Sequence, residues 1–319
     1  MEIYKPARAV GSVCPDALYD FVRGKRNLVY EHKLDGSRYV LYIENGVGKL
    51  LSRRRSVVTG EFVDKTENCP HLMVRCPKDL EIVFDGEIVS GFTSSDVTRI
   101  MGSSPARALK LQREEGYVRY HVFDCLCYNG SDLTKTSWED RQNMLGCVWA
   151  TYNFYHTFPY LHRVSCEAVR AFEIERVFNT IIADGGEGLM LKDKNALYGT
   201  GWWKVKKEIT FDVIITGFTE GKNKYKELIG SIKFSLYKDG DLIEVGQCSG
   251  MDDAIRYNIS INRDSYLNRV MEVKGQEFTG KRIRHPRFVR FRLDKNMTDC
   301  VWEHQIENII SRSLIKERA

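Results

Sequence analysis

The sequence predicts an α+β chain in two parts. Residues 1–208 read as a mixed domain of antiparallel strands and helices, and residues 209–319 as a small all-β domain. Three observations carry this. First, 319 residues with 43% hydrophobic side chains supply apolar surface for one large or two ordinary domains. Second, strand and helix patterns are interleaved as far as Glu208. Third, short strands then follow one another over roughly 100 residues, the texture of a small barrel.

The elements follow in order. Leu28-Val29-Tyr30 opens a strand, Asp35-Gly36 breaks it, and Tyr39 to Ile43 forms the next. Glu44-Asn45-Gly46 is a hairpin signal, because Asn-Gly tolerates the positive φ of a tight turn. Leu80 to Val89 is a strand, 94–115 is helical, and Val118 to Tyr128 is a strand ended by Asn129-Gly130. Ser165 is placed as the N-cap of a helix whose apolar stripe is Val169, Phe172, Val177, Phe178 and Ile181. After the loop Asp184 to Gly188, strands are expected at Leu189 to Lys192 and Trp202 to Lys206. Five further strands, at 211–218, 230–237, 242–248, 270–278 and 288–293, suggest an oligonucleotide-binding (OB) barrel. The stripe Ile306, Ile309, Ile310 and Leu314 predicts a helix over 303–316 that packs on it.

Composition narrows the function classes. No apolar run approaches the ~18 residues of a membrane helix, and Met1 to Pro6 lack the apolar core of a signal peptide. An intracellular, cytoplasmic protein with no membrane partner is expected. Nine cysteines without a Cys-x-x-Cys pair argue for reduced thiols over a disulfide framework or zinc site. The net charge of +5 is mild, but basic residues cluster. Lys281, Arg282, Arg284, Arg287, Arg290, Arg292 and Lys295 alternate with apolar residues, and Arg53-Arg54-Arg55 form a second run. Both suit phosphate or nucleic acid.

Four constellations bear chemistry. In Glu31-His32-Lys33-Leu34-Asp35-Gly36-Ser37-Arg38, extended backbone turns Glu31, Lys33 and Asp35 to one face. A lysine there is a candidate nucleophile, which attacks only as the neutral amine. Asp85-Gly86-Glu87 and Glu187 supply separate acids that suit Mg²⁺, an ion held by few carboxylates plus substrate phosphates. In Trp202-Trp203-Lys204-Val205-Lys206 both lysines share one face, which suits a phosphate.

The ordered series resembles the nucleotidyltransferase motifs of ATP-dependent DNA ligases. Lys33-Leu34-Asp35-Gly36-Ser37-Arg38 is similar to the acceptor signature Lys-x-Asp-Gly-x-Arg, and Ser52-Arg53 to the second motif. Asp85-Gly86-Glu87 is similar to the third motif, and Tyr120 to Asp124 to the aromatic-Asp motif after it. Glu187 to Lys192, Trp203 to Lys206 and Arg290 to Lys295 resemble the remaining three. The resemblance spans about residues 27 to 296 and is nearest in plan to the minimal phage and viral enzymes.

The resemblance implies an ATP-grasp-like adenylation domain, then an OB domain. It implies ATP and Mg²⁺ as cofactors, nicked duplex DNA as partner, and a monomer. Lys33 would form lysyl-AMP beside Asp35, Glu31 would accept from the adenine amine, and Phe123 would stack on the base. Arg38 and Glu87 would hold the ribose, with Arg53 in the ATP site and Glu87 and Glu187 near the metal. Lys204 and Lys206 would neutralise the α-phosphate. Arg292 and Lys295 would orient pyrophosphate when the barrel closes. Three departures stand out: the second motif lacks its glycine, about 27 residues precede the first strand where large relatives carry a helical DNA-binding domain, and the barrel has no long insertion. RNA ligases and mRNA capping guanylyltransferases share the plan and are the alternatives. A bacterial NAD-dependent ligase fits less well, because Arg38 stands where those read alanine. A non-catalytic basic barrel leaves Lys33, Glu87, Glu187, Lys204 and Lys206 unexplained.

Overall fold

The computed structural model describes residues 2–73, 77–91, 94–276, 278 and 281–307. Two compact units divide the chain at Lys206 and Lys207.

The first unit is built on two sheets. One orders β1 (Gly11–Val13), β12 (Trp202–Lys206), β11 (Gly188–Asp193), β2 (Leu28–His32) and β10 (Glu167–Ala168). β1 runs parallel to β12, and the other pairs are antiparallel. The other sheet orders β5 (Phe62–Asp64), β4 (Val47–Arg55), β3 (Ser37–Glu44), β6 (Ile82–Val89), β7 (Arg119–Tyr128) and β8 (Ser131–Asp132), with β9 (Leu161–Arg163) also on β7. Asn45-Gly46 and Asn129-Gly130 make two-residue turns with positive φ at both positions, joining β3 to β4 and β7 to β8.

Among the described residues, six α-helices complete this unit: α1 (Leu18–Arg23), α2 (Ser94–Gly102), α3 (Pro105–Glu115), α4 (Trp138–Thr151), α5 (Phe154–Thr157) and α6 (Ile174–Ala183). Leu41, Phe84, Ile100, Leu145 and Trp149 bury one face of the larger sheet against helices. Leu18, Phe178, Ile181, Leu189 and Val205 do the same for the smaller.

Two local expectations are corrected. The helical region 94–115 is two helices, because Pro105 has no N–H to continue α2 and instead opens α3. The helix placed after Ser165 begins at Ile174. Glu167 and Ala168 pair with Tyr30 and Val29 instead, and Phe172 is exposed. Helix α4 was not anticipated. Ser137 caps it by accepting from the Asp140 N–H at 3.1 Å, but Arg141 and Gln142 interrupt its buried stripe. Arg141 is fully buried because Nε donates to Asp124 at 2.7 Å, pinning α4 to β7.

The second unit is one antiparallel sheet with the order β15 (Asp241–Cys248), β14 (Ile229–Lys238), β13 (Ile209–Glu220), β16 (Val270–Gly275) and β17 (Arg287–Phe291). No sheet is closed into a barrel among the described residues, although one bridge joins Ser249, past β15, to Arg287 of β17. Helix α7 (Asp253–Ile261), capped by Asp252, was also unanticipated. Of the expected terminal helix, Glu303–Glu307 forms a π-helical turn; Ile309, Ile310 and Leu314 lie outside the described residues. Among the described residues no helix is long and apolar enough to cross a membrane.

Candidate active site

A cavity of about 730 Å³ lies within the first unit, lined by both of its sheets. The floor follows from strand alternation. Glu31 of β2 stands opposite Met190 of β11, which stands opposite Lys204 of β12. Residues two apart share a face, so Lys192, Trp202, Lys204 and Lys206 join Glu31 in lining the cavity. The alternate residues Tyr30, Leu189, Leu191 and Val205 face the core. The larger sheet contributes Arg38, Ser52, Arg53, Arg54, Glu87 and Phe123.

Lys33 lies just beyond β2, its N–H bonded to the Gly188 carbonyl at 2.9 Å. Its Nζ donates to Glu187 Oε2 at 2.5 Å, and Lys206 Nζ pairs with the other carboxylate oxygen. Burial pushes the Glu187 carboxyl up, but Lys33 and Lys206 outweigh it and hold it below the usual range. Burial lowers Lys206; Glu187 opposes this, while Lys33 and Lys204 add to it. Lys204 lines the cavity with no ion pair among the described residues. Glu87 is pushed up to about 7, chiefly by burial, with Lys33 and Arg38 opposing and Asp85 and Glu187 adding.

Gly36 is required by close approach: a Cβ there would run into the Ile88 carbonyl oxygen. Gly188 has φ +141° and its Cβ would strike the Val205 carbonyl oxygen. Both glycines flank the lysine's position, one in the chain and one across the sheet.

Two expected ligand contacts are already engaged within the protein. Arg38 Nε donates to Asp85 Oδ1 at 2.8 Å, Nη2 to Asp85 Oδ2 and to the Tyr198 hydroxyl, and Nη1 to the Ala7 carbonyl. Its guanidinium lies 5.1 Å from the Phe123 ring centre and 5.7 Å from that of Trp202. Glu31 is buried and accepts from Lys192 at 2.8 Å; burial raises its carboxyl while Lys192 opposes. Lys192 lies 4.9 Å from the ring centres of both Phe123 and Trp202.

The structure brings together Glu31, Lys33, Arg38, Arg53, Glu87, Phe123, Lys204 and Lys206 around the cavity, with Glu187 on Lys33. Asp35, half-buried in the loop after β2, does not line it. Arg292 and Lys295 belong to the second unit, where both pair with Asp212. Sequence reasoning gave no role to Lys192 or Tyr198, and it read Asp85 only among the acids that suit Mg²⁺, whereas Asp85 is taken up by Arg38. Asp85 and Lys192 lay inside quoted motifs, whereas Tyr198 carried no local signal. The expected metal residues Glu87 and Glu187 are two carboxylates. No cluster of three or more ligating side chains occurs among the described residues. That set fits Mg²⁺, which keeps waters and takes substrate oxygens.

Residues 13–206 match the family model described as ATP dependent DNA ligase domain. A DNA ligase of Methanocorpusculum labreanum is 26% identical over 314 residues, covering 85% of this chain and 53% of the relative. A DNA ligase of vaccinia virus (strain Copenhagen) is 25% identical over 346 residues, covering 93% and 61%. The chain therefore spans about half to three-fifths of the length of these relatives. In fold it is similar to a solved Lig E DNA ligase, with TM-score 0.64, 21% identity, and 91% of this chain and 100% of that one covered. A solved chain named Pmar-Lig_PreS3 gives TM-score 0.67 at 20% identity, over 90% of this chain and 68% of that one.

Proposed function

Since the chain belongs to the ATP-dependent DNA ligase domain family, we propose that it seals nicks in duplex DNA with ATP through a lysyl-AMP intermediate. The observation that carries the reading is Lys33 beside Lys206 and Glu187 in a cavity that also presents Lys204 and aromatic rings. Lys33 Nζ attacks the α-phosphorus of ATP; an N–P bond forms, the Pα–O bond to the β-phosphate breaks, and pyrophosphate leaves. Glu187 is placed to hold or accept the proton that Lys33 gives up. A DNA 5′-phosphate oxygen then attacks the AMP phosphorus and Lys33 departs. Finally the 3′-hydroxyl attacks the 5′-phosphorus and AMP leaves.

Phe123 and Trp202 provide faces for the base, and Lys204 and Lys206 offset charge on the α-phosphate. Arg38 reaches a ribose with its remaining Nη1 hydrogen, or after exchanging Asp85. Glu87 and Glu187 would hold Mg²⁺, which when bound supplies charge neutralisation on the phosphates. Residues 1–208 act as the adenylation domain. Residues 209–319 act as an OB domain, a reading supported by the five-strand order and the Ser249–Arg287 bridge. Arg292 and Lys295 there act on the pyrophosphate. In this reading the chain acts as a monomer.

Labelled ATP, GTP or NAD, followed by denaturing electrophoresis, tests the reading. Label should arrive from ATP alone and disappear in Lys33→Ala. Label from NAD, or an equally labelled variant, refutes it. Matched DNA and RNA nicks then separate DNA sealing from RNA repair, and transfer to a 5′-diphosphate RNA end would identify capping.

A further inference from the structure

The segment before β1 is tied to both sheets of the first unit. The Tyr4 N–H donates to the Tyr42 hydroxyl of β3 at 2.9 Å, and the Ala7 N–H donates to the Tyr198 hydroxyl at 3.0 Å. The Ala7 carbonyl accepts from Arg38 Nη1, and the Val10 N–H donates to the Trp202 carbonyl of β12 at 2.8 Å. Between the points pinned at Ala7 and Val10, Arg8 and Ala9 line the cavity. Arg8 belongs to none of the motifs read from the sequence.

Arg8 shares the cavity lining with Arg53 and Arg54. The guanidinium groups of these three make no ion pair or hydrogen bond among the described residues, whereas Arg38 is held by Asp85. Burial lowers the Arg53 guanidinium; Arg38, Arg54 and Arg8 add to this, and Glu87 opposes it. Glu87 itself is pushed up to about 7, so it carries only part of a charge near neutral pH. Like charges gathered without a full counter-charge repel one another, and an incoming anion relieves that repulsion. An arginine stays charged and presents five N–H donors in a fork that matches phosphate oxygens.

Position sets this group apart from the cations on the floor. Lys204 and Lys206 are half-buried, whereas Arg8 and Arg54 are exposed. A cavity of about 730 Å³ is of a size to hold a nucleotide, so a duplex stays at its mouth and meets the cations exposed there.

We propose that Arg8 is a binding residue for a phosphate of the nicked strand, which it grips at the cavity mouth together with Arg54. This rests on the reading of the substrate as nicked duplex DNA given above.

The test compares Arg8→Ala and Arg8→Lys with the unaltered protein, each as the full chain. Two quantities are measured: binding of a 5′-phosphorylated nicked duplex over a range of salt without Mg²⁺, and the KM for ATP in self-adenylylation. Arg8→Ala should weaken nick binding about tenfold and flatten the slope of log affinity against log salt by about 0.9, while the KM for ATP changes by less than about twofold. Arg8→Lys should restore the slope, because it restores the charge, and recover part of the affinity. An unaltered slope in Arg8→Ala would overturn the proposal. A raised KM for ATP with nick binding intact would also overturn it and make the anion the phosphate tail of the nucleotide. Equal losses in both measurements that Arg8→Lys does not recover would overturn it and leave Arg8 a support of the segment that carries it. If the unaltered protein took no label from ATP, the ligase reading would fail by itself, while the slope measured on the same nick would still decide for or against Arg8.

Discussion

Lys33 Nζ donates to Glu187 Oε2 at 2.5 Å, across 154 residues of sequence. The acid sits where it can keep the lysine in place and receive its proton, with Lys206 on the opposite carboxylate oxygen. Glu187→Gln keeps the shape and removes the charge. Self-adenylylation of this variant should fall by about 10²-fold, the scale of general base and electrostatic contributions. A rate within twofold of wild type, read from the time course of label incorporation, would rule out this role.

Glu87 links the site to pH. Its folded carboxyl titrates at about 7, above the ordinary value of 4.5, so the folded state favours the protonated form. The associated stability is present below pH 4.5 and is lost as the pH rises through 7, by about 3 kcal/mol at most. Glu87→Gln should therefore raise the Tm at pH 8 and change it much less at pH 5. The same substitution removes a proposed metal ligand, so its Mg²⁺ requirement for adenylylation should rise. A pH-independent Tm difference would show that burial does not hold Glu87 protonated.

Asp85 is fully buried and is paired with the Arg38 guanidinium. Removing one partner of a buried pair leaves an uncompensated charge and costs about 3–5 kcal/mol. Asp85→Asn should lose stability on that scale in a denaturant titration. Tyr198→Phe keeps the charge pair and removes a hydroxyl that donates to Asp85 and accepts from Arg38 and the Ala7 N–H, and should lose about 1–2 kcal/mol. Equal losses in the two variants would place the stability in the hydrogen bonds of the Tyr198 hydroxyl and not in the Arg38–Asp85 charge pair.

Arg54 is exposed at the end of β4, next to Arg53 at the cavity wall. In the proposed reading, nick binding without sequence readout would rest on phosphates. Arg54→Ala should therefore flatten the slope of log affinity against log salt by about 0.9 while leaving the dependence on flanking sequence unchanged. Self-adenylylation should persist. An unaltered slope would remove this arginine from the DNA contact surface.

Strand positions and shared faces were legible because they depend on neighbours in the chain. Alternation alone set Lys204 and Lys206 on one face of β12 and Val205 on the other, and Asn-Gly pairs marked one hairpin turn and the end of another strand. Helix α4 was hidden for the opposite reason. Its buried stripe contains Arg141 and Gln142, whose burial is permitted by partners outside the helix: Asp124 and the Thr136 carbonyl for Arg141, and the Phe123 carbonyl for Gln142.

By itself the sequence determined the local framework: the strand that presents Lys33, the glycines that let other backbone approach, and the series of acids and bases. The tertiary structure decided which charges meet. Arg38 satisfies Asp85 and Tyr198, the latter 160 residues away; Glu31 is held by Lys192; and Asp212 gathers Arg292 and Lys295. Side-chain direction follows from local backbone period. The partner of a buried charge follows from which strands the chain lays side by side, because a charge leaves water only where the fold supplies its counter-charge.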